Sequence, residues 1–452
     1  MKRVVAPQGR GEARCSHVGL MIKLLFLVGF LFAYSTVIAH ASVAPDISLE
    51  QMTVEQVAVR LRPLKDASKG AGVSVAGSGL LVFSVPSESR EPLIRTNGFD
   101  RLSFRYETGM KDGLWVVRDT ATDQVLIRQP GRKIEIHGDS LRVDLRSAPS
   151  RIQLVASRDS RRGSARMPSL VGLLSIEDYL AGVVAAEVPR DWPLEALKAQ
   201  AVAARSFAIA KVEERRRLRP DWLLEATVMD QVFDHDRIHP RALQAVQETR
   251  GEVMRASGHG RVIATHYHSD CGGKTDEPSV IWGGGPSLGT ASCPVQPRTW
   301  RVVRSVQELG NELRSKALLP TGFVLAGLDV VERSSGGRAL RIRAQGEDGT
   351  QASFSGEKLR EAIGYSDLRS TLFEIKASEQ GSKQESGGSR QVEFLGKGFG
   401  HGSGLCQWGA RAFAIGGKTH REILEHYYPK LVLDRSVVSV AESKTSEQSL
   451  KR

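Results

Sequence analysis

The alternation of apolar and polar positions changes period several times along the chain. From Leu24 to Ile38 almost every residue is apolar (LLFLVGFLFAYSTVI). Between residues 42 and 168 short β-like runs follow one another. Val73 to Val85, Leu102 to Tyr106, Leu114 to Val117 and Lys133 to Leu145 mix β-branched residues with Gly and Asp punctuation, which predicts strands. Arg161-Arg162-Gly163 reads as a turn. From 175 to 219 the period becomes helical. Ser175 is placed to cap a helix, with Glu177 and Asp178 where acids suit the dipole. That helix is expected to run to about Ala186, before Pro189 stops it. Asp191 is expected to cap a second helix, with Pro193 near its first position. The run LEALKAQAVAARSFAIAKVEERRR carries it, and its alanines favour helix and close packing. Arg215-Arg216-Arg217 at its end reads as a solvated face. Pro240 opens a third helix (RALQAVQETR) that Gly251 ends. Val262 to His268 (VIATHYH) reads as a strand. Residues 376–390 read as a flexible insertion and 437–452 as a disordered tail. The fold class that follows is α+β, with an N-terminal β-rich module (42–168) and a helical core with mixed β segments (169–436).

The first apolar run takes its meaning from its neighbours. Lys2, Arg3, Arg10, Arg14 and Lys23 precede it, and the small-x-small pattern Ala39-His40-Ala41 follows. Basic, apolar, then small-x-small is the order of a secretory leader, here residues 1–41. The run is short for a membrane span of about 20 residues. An uncleaved leader is therefore the one membrane attachment to expect. Met21 is an alternative start, because the region before it is long for such a leader. The expected location is outside the cytoplasm, in a periplasm or a cell wall.

Composition narrows the partners. The chain has 452 residues, 40% hydrophobic and 25% charged, which excludes a wholly disordered chain, a collagen-like fibre and a polytopic membrane protein. Four cysteines exclude a disulfide-dense scaffold. Its 63 basic against 51 acidic residues give a net charge of +12. Removing the leader leaves the chain basic. An exported basic protein has no genomic nucleic acid to bind, so wall polymers, anionic lipids or secreted substrates remain.

Three patches carry candidate chemistry. The first is Glu187 in GVVAAEVPRDWP, at the corner between two helices behind the apolar run Val183 to Ala186. Partial desolvation there would raise its pKa and suit it to general-acid work, although a lone glutamate at a helix end is often an ordinary surface residue. The second is His266-Tyr-His268-Ser-Asp-Cys271-Gly-Gly with Cys293 further on. Two His and two Cys are zinc ligand types. The spacing is not that of a standard finger, and a Cys271–Cys293 disulfide or plain structural thiols are the alternatives. The third is GKGFGHGSGLCQWGA, with glycine at 396, 398, 400, 402 and 404. It fits neither a dinucleotide fingerprint nor a phosphate loop. Its glycines would let backbone approach a ligand. His401, Ser403 and Gln407 beside Trp408 would suit a sugar, and a tight structural loop is the alternative.

Together these segments resemble the sporulation stage II protein D and amidase-enhancer family. The matching stretches are Tyr179-Leu-Ala-Gly-Val-Val-Ala-Ala-Glu187, the helix Pro193 to Arg205, His268-Ser-Asp-Cys-Gly-Gly-Lys-Thr275 with Trp282-Gly, Gly400 to Ala410, and His426-Tyr-Tyr-Pro429. They occur in order over residues 175 to 430, a little over half of the chain.

The resemblance implies a peptidoglycan lytic transglycosylase. Such an enzyme cuts peptide-free glycan strands between N-acetylmuramic acid and N-acetylglucosamine and leaves 1,6-anhydro ends. The family's essential glutamate maps onto Glu187, and a basic cleft position maps onto Arg205. Gln200, Arg205, His401 and Gln407 are the expected sugar-binding residues, with Arg205 suited to a lactyl carboxylate. A zinc precedent near the His/Cys segment carries over onto His268, Cys271 and Cys293, with Cys406 a further ligand or an ordinary variant. The amidase-enhancer branch implies a rival reading, a non-catalytic wall-binding partner of an N-acetylmuramoyl-L-alanine amidase. A zinc hydrolase built on His266, His268 and Cys271 is the third, and it lacks an HExxH-type pairing.

Overall fold

The computed structural model describes residues 56–64, 72–85, 91–108, 113–156, 168–218, 221–257, 260–378 and 390–435. The leader, the turn at 161–163, the tail and residues 379–389 of the expected insertion lie outside them. The fold is α+β. Its helices, in chain order, are α1 (Ile176–Glu187), α2 (Leu194–Arg216), α3 (Pro240–Glu248), α4 (Pro278–Trp282), α5 (Val306–Ser315), α6 (Gly356–Ile363), α7 (Gln407–Ile415) and α8 (His420–Tyr427). Among the described residues no helix is long and apolar enough to cross a membrane.

The N-terminal β-rich stretch forms one sheet whose strands are almost all antiparallel neighbours. Its main path runs Leu224–Glu225, Val57–Pro63, Pro168–Leu174, Arg151–Ala156, Lys133–Val143, Val73–Val85, Phe99–Glu107, Leu114–Asp119, Val125–Pro130. Alternation along these strands buries one face around Trp115, Phe104, Tyr106 and Ile136. The strand Pro168–Leu174 lies inside this sheet and runs directly into α1. The sheet and the helical core are therefore continuous across residue 168. Val57, Val59 and Leu174 face away from the sheet's own core and pack with α1 and α2.

Ser175 caps α1 as expected, its hydroxyl accepting from the Asp178 N–H. Asp191 does not cap α2. Pro193 takes that position with no side-chain hydrogen bond. In the middle of α2, Ala199 to Ala204 are all buried, and the helix packs against α1, α3, α7 and α8. Small side chains are what let four helices approach one axis. The expected strand Val262 to His268 shrinks to Tyr267–His268, which pairs in parallel with the equally short Leu405–Cys406.

Residues 299–397 build a second α/β core that the chain's patterning did not announce. Two three-stranded antiparallel sheets enclose Leu309, Leu313, Ile342, Leu359 and Phe394 together with α5 and α6. The strands Phe373–Ser378 and Gln391–Lys397 pair with each other. Residues 376–378, read above as flexible, therefore extend a strand. The chain then returns to the helical core, and Leu431–Arg435 pairs with Glu252–Ala256.

Candidate functional site

A cleft of about 730 Å³ opens where the helical core meets the second core. Glu187 reaches it from the last residue of α1. Its Oε1 accepts from the Val232 N–H at 3.1 Å, and the Gln407 amide also donates to the carboxylate. Burial pushes the carboxyl above the usual carboxylate range, against the pull of these two hydrogen bonds. A carboxyl shifted upward in this way is suited to general-acid work.

The loop that supplies Val232 is held by a fork. Both terminal nitrogens of Arg215 donate to Asp230, at 2.6 and 2.8 Å, and Asp230 also accepts from the Glu225 N–H at 2.8 Å. Arg215 therefore belongs to the cleft wall, and only Arg216 and Arg217 of the basic run are exposed. Behind the loop, the Tyr179 hydroxyl donates to Gln231 Oε1 at 3.2 Å and Gln231 donates to the Tyr267 oxygen at 3.0 Å. Asp230, Gln231 and Val232 were missed in the sequence. The trace available was a polar pair, Asp-Gln, set in the apolar run VMDQVF.

The expected sugar-binding residues separate. Gln407, at the start of α7, lines the cleft beside Glu187. Gln200 stands behind it, accepting from Gln407 Nε2 at 3.3 Å, and does not line the cleft. His401 lines the cleft, but both ring nitrogens are engaged. Nε2 donates to the Tyr267 carbonyl at 2.9 Å and Nδ1 accepts from the Ser403 N–H at 3.1 Å. Burial keeps the ring neutral, so only its face is free for a ligand.

Arg205 is not in the cleft. It is 1% exposed and forms a bidentate pair with Glu177, at 2.7 and 3.1 Å. Its remaining donors go to the Val246 and Glu252 carbonyls and to Thr249. With its donors spent inside the core, it cannot hold a substrate carboxylate. The cations that do line the cleft are Lys211, Arg215 and Arg360. Trp282 and Phe399, also lining it, are 44% and 41% exposed. The Trp282 ring lies 4.8 Å from His266 and 5.0 Å from His401.

The glycine loop packs against the protein itself. Gly402 has φ +83°, and a Cβ there would lie 1.9 Å from the buried Arg338 guanidinium carbon. Arg338 pairs with Asp276 at 3.3 Å and donates to the Cys271 carbonyl. Close backbone approach is thus used to seat an arginine and shape the loop carrying His401.

Beside the cleft, ligand atoms of His268, Cys271 and Cys406 lie within 4.8 Å of one another, all buried. His268 Nδ1 donates to the Ser403 carbonyl at 3.0 Å, which leaves Nε2 unprotonated. That Nε2 is buried and has no hydrogen-bond partner among the described residues. The sulfurs of Cys293 and Cys406 are 3.7 Å apart, and all three described cysteines are free thiols, so Cys271 and Cys293 form no disulfide. Hydrogen bonds from Cys271 and Cys406 hold the Cys293 thiol low, favouring a thiolate. An orphaned imidazole nitrogen with clustered sulfurs suits a soft divalent ion such as zinc. The group contains Cys406 in the position expected of Cys293, which stands at its edge. His266 is not part of it.

Comparison with known proteins adds the lineage. Residues 166–255 match the family model described as Stage II sporulation protein. Stage II sporulation protein D of Bacillus amyloliquefaciens is 30% identical over 275 residues, 56% of this chain and 73% of that protein. The chain belongs to the stage II sporulation protein D and amidase-enhancer family. An uncharacterized protein of Brachyspira hyodysenteriae is 35% identical over 264 residues, 57% of this chain and 66% of that one. The amidase enhancer of Bacillus subtilis (strain 168) is 27% identical over 301 residues, 56% of this chain and 40% of the enhancer. Residues 296–404 match a separate model, a domain of unknown function. The family-model stretch contains Glu187, Gln200 and Arg205. The second stretch supplies His401 and one wall of the cleft.

Proposed function

We propose that the protein is an exported lytic transglycosylase acting on peptide-free peptidoglycan glycan. The observation that carries this reading is the half-buried Glu187 carboxyl, held above the usual range in the wall of a cleft with aromatic rims. Glu187 protonates the glycosidic oxygen as the bond from muramic acid C1 breaks. The C6 hydroxyl of the same muramic acid attacks C1, and the Glu187 carboxylate accepts the hydroxyl proton. The acid is regenerated and no water enters the product. One carboxylate suffices because the sugar is its own nucleophile, whereas a hydrolase needs two. Val232 N–H and Gln407 stabilise the carboxylate that forms midway, and Gln200 holds Gln407 in place.

Membership of a family with an amidase enhancer supports a second reading, a wall-binding partner of an amidase. The two separate by product analysis. Wild-type protein and Glu187→Gln are incubated with peptide-free glycan strands and the products weighed by mass spectrometry. The transglycosylase reading expects anhydro ends from wild type alone. No anhydro ends from wild type, or equal yields from both, would remove it and leave the enhancer.

The zinc hydrolase reading loses His266, which lines the cleft and is not part of the His268, Cys271 and Cys406 group. His268, Cys271 and Cys406 would hold a zinc ion, with Cys293 adjacent. When bound there, zinc supplies structural cross-linking of the loops that form the cleft.

A further inference from the structure

The segment 356–366 enters the cleft from the second core, in the stretch that matches a domain of unknown function. Ser355 caps α6, accepting from the Lys358 N–H at 3.2 Å. Gly356 is pressed against the neighbouring strand, so closely that a Cβ would lie 2.0 Å from the Ala339 carbonyl oxygen. The helix start, and with it Glu357, is fixed in place.

Glu357 lines the cleft with one carboxylate oxygen, Oε1, buried and without a hydrogen-bond partner among the described residues. Its other oxygen lies 3.6 Å from Arg360 NH1. Arg360 is itself anchored, its Nε donating to the Leu368 carbonyl at 2.9 Å, with its guanidinium 4.8 Å from the Tyr365 ring centre. Tyr365 is 41% exposed, like Phe399. A purely structural ion pair satisfies both carboxylate oxygens, because an unpaired buried acceptor is costly. Here one acceptor is left unpaired within the cleft wall, with a fixed donor and the exposed Tyr365 ring beside the pair, and Phe399 lining the same cleft. The pair is neutral overall, which disfavours a phosphate or other strong anion and favours a neutral, hydroxyl-rich ligand.

We infer that Glu357, Arg360, Tyr365 and Phe399 form a sugar subsite that takes one N-acetylated amino-sugar unit of the strand. Glu357 accepts from a hydroxyl or acetamido N–H, Arg360 donates to a hydroxyl or carbonyl, and the rings stack on the pyranose face. This gives the domain of unknown function a task, substrate positioning. It rests on the glycan reading above for the ligand, not for the cleavage.

The test is direct binding. A peptide-free glycan oligosaccharide is titrated calorimetrically into the Glu187→Gln protein, which should bind without cutting. Glu357→Gln added to it is expected to weaken binding about tenfold, the loss of one charge-assisted hydrogen bond, and Tyr365→Ala about fivefold. Tyr365 is exposed, so its variant keeps the wild-type melting temperature and guards against a folding artefact. Affinities within about twofold of the parent for both variants, or no oligosaccharide binding by the parent, would overturn the subsite. Glu357-dependent binding without anhydro products from wild type would keep the subsite and remove the transglycosylase reading.

Discussion

The fold favours the neutral form of Glu187 more than water does. Burial raises its pKa, so the native state holds a proton that the unfolded chain releases. Its stabilising contribution is full below the ordinary carboxyl range and is lost as pH rises through the raised value. Glu187→Gln should therefore raise the melting temperature more at pH 8 than at pH 4, while removing activity. The wild-type rate on glycan should fall as pH rises through the same value, because the general acid is then ionised. An equal shift at both pH values would show that Glu187 is solvated. Arg205 is the opposite case, a cation with its partners inside the core. Arg205→Ala should cost about 3–5 kcal/mol of unfolding free energy, measured in urea, by stranding Glu177. Its KM for glycan should stay unchanged while the fold holds. A raised KM with unaltered stability would return Arg205 to the substrate. The sequence motif marked both residues as special without distinguishing their tasks. The reason is that Glu187 ends α1 whereas Arg205 sits within α2, and its burial depends on α3 and the Glu252 backbone, which no local spacing reveals.

At the scale of elements, the starts of α1 and α3 were readable, whereas the Asp191 cap expected for α2 is not made. Ser175 before an acidic first turn and Pro240 at a helix start are local interactions, and the structure has them. The alternating glycines were readable as unusual backbone but not as to purpose. Their partners, Arg338 and the His266 carbonyl, are 64 and 138 residues away in sequence for Gly402 and Gly404. Gly402→Ala should destabilise the fold by about 2 kcal/mol or more, since it meets both a left-handed φ and the Arg338 guanidinium. Chemical denaturation measures this, and a cost near zero would mean that the loop is free of Arg338. The β-branched run at 262–268 forms a paired strand only at Tyr267–His268, because β propensity without a partner makes no ladder. A ladder is only as long as its neighbour, and Leu405–Cys406 offers two residues.

At the scale of the molecule, the α+β class and the β-rich start follow from patterning, and the second core between residues 299 and 397 does not. Its longest strands, Leu325–Arg333 and Ala339–Gly346, carry mixed burial rather than clean alternation, and its helices are only eight and ten residues long, so no single window carries enough period to announce a core. The same assembly brings His268, Cys271 and Cys406 together across 138 residues of chain. The purified protein should contain one zinc per chain, by elemental analysis. Cys271→Ser should lose the metal and melt earlier. Retention of both metal and stability in that variant would remove the zinc site. Cleft, His/Cys cluster and second core thus meet at one place, and the basic charge that remains once the leader is removed is expected to favour salt-dependent binding of a polyanion.

The central claim is that one carboxylate cuts the strand with no water in the product. Cleavage of peptide-free glycan in ¹⁸O-labelled water, read by mass spectrometry, tests it most directly. The account predicts fragments one water lighter than the hydrolysis product, free of ¹⁸O, and absent with Glu187→Gln. Reducing ends carrying ¹⁸O would contradict it and identify a hydrolase.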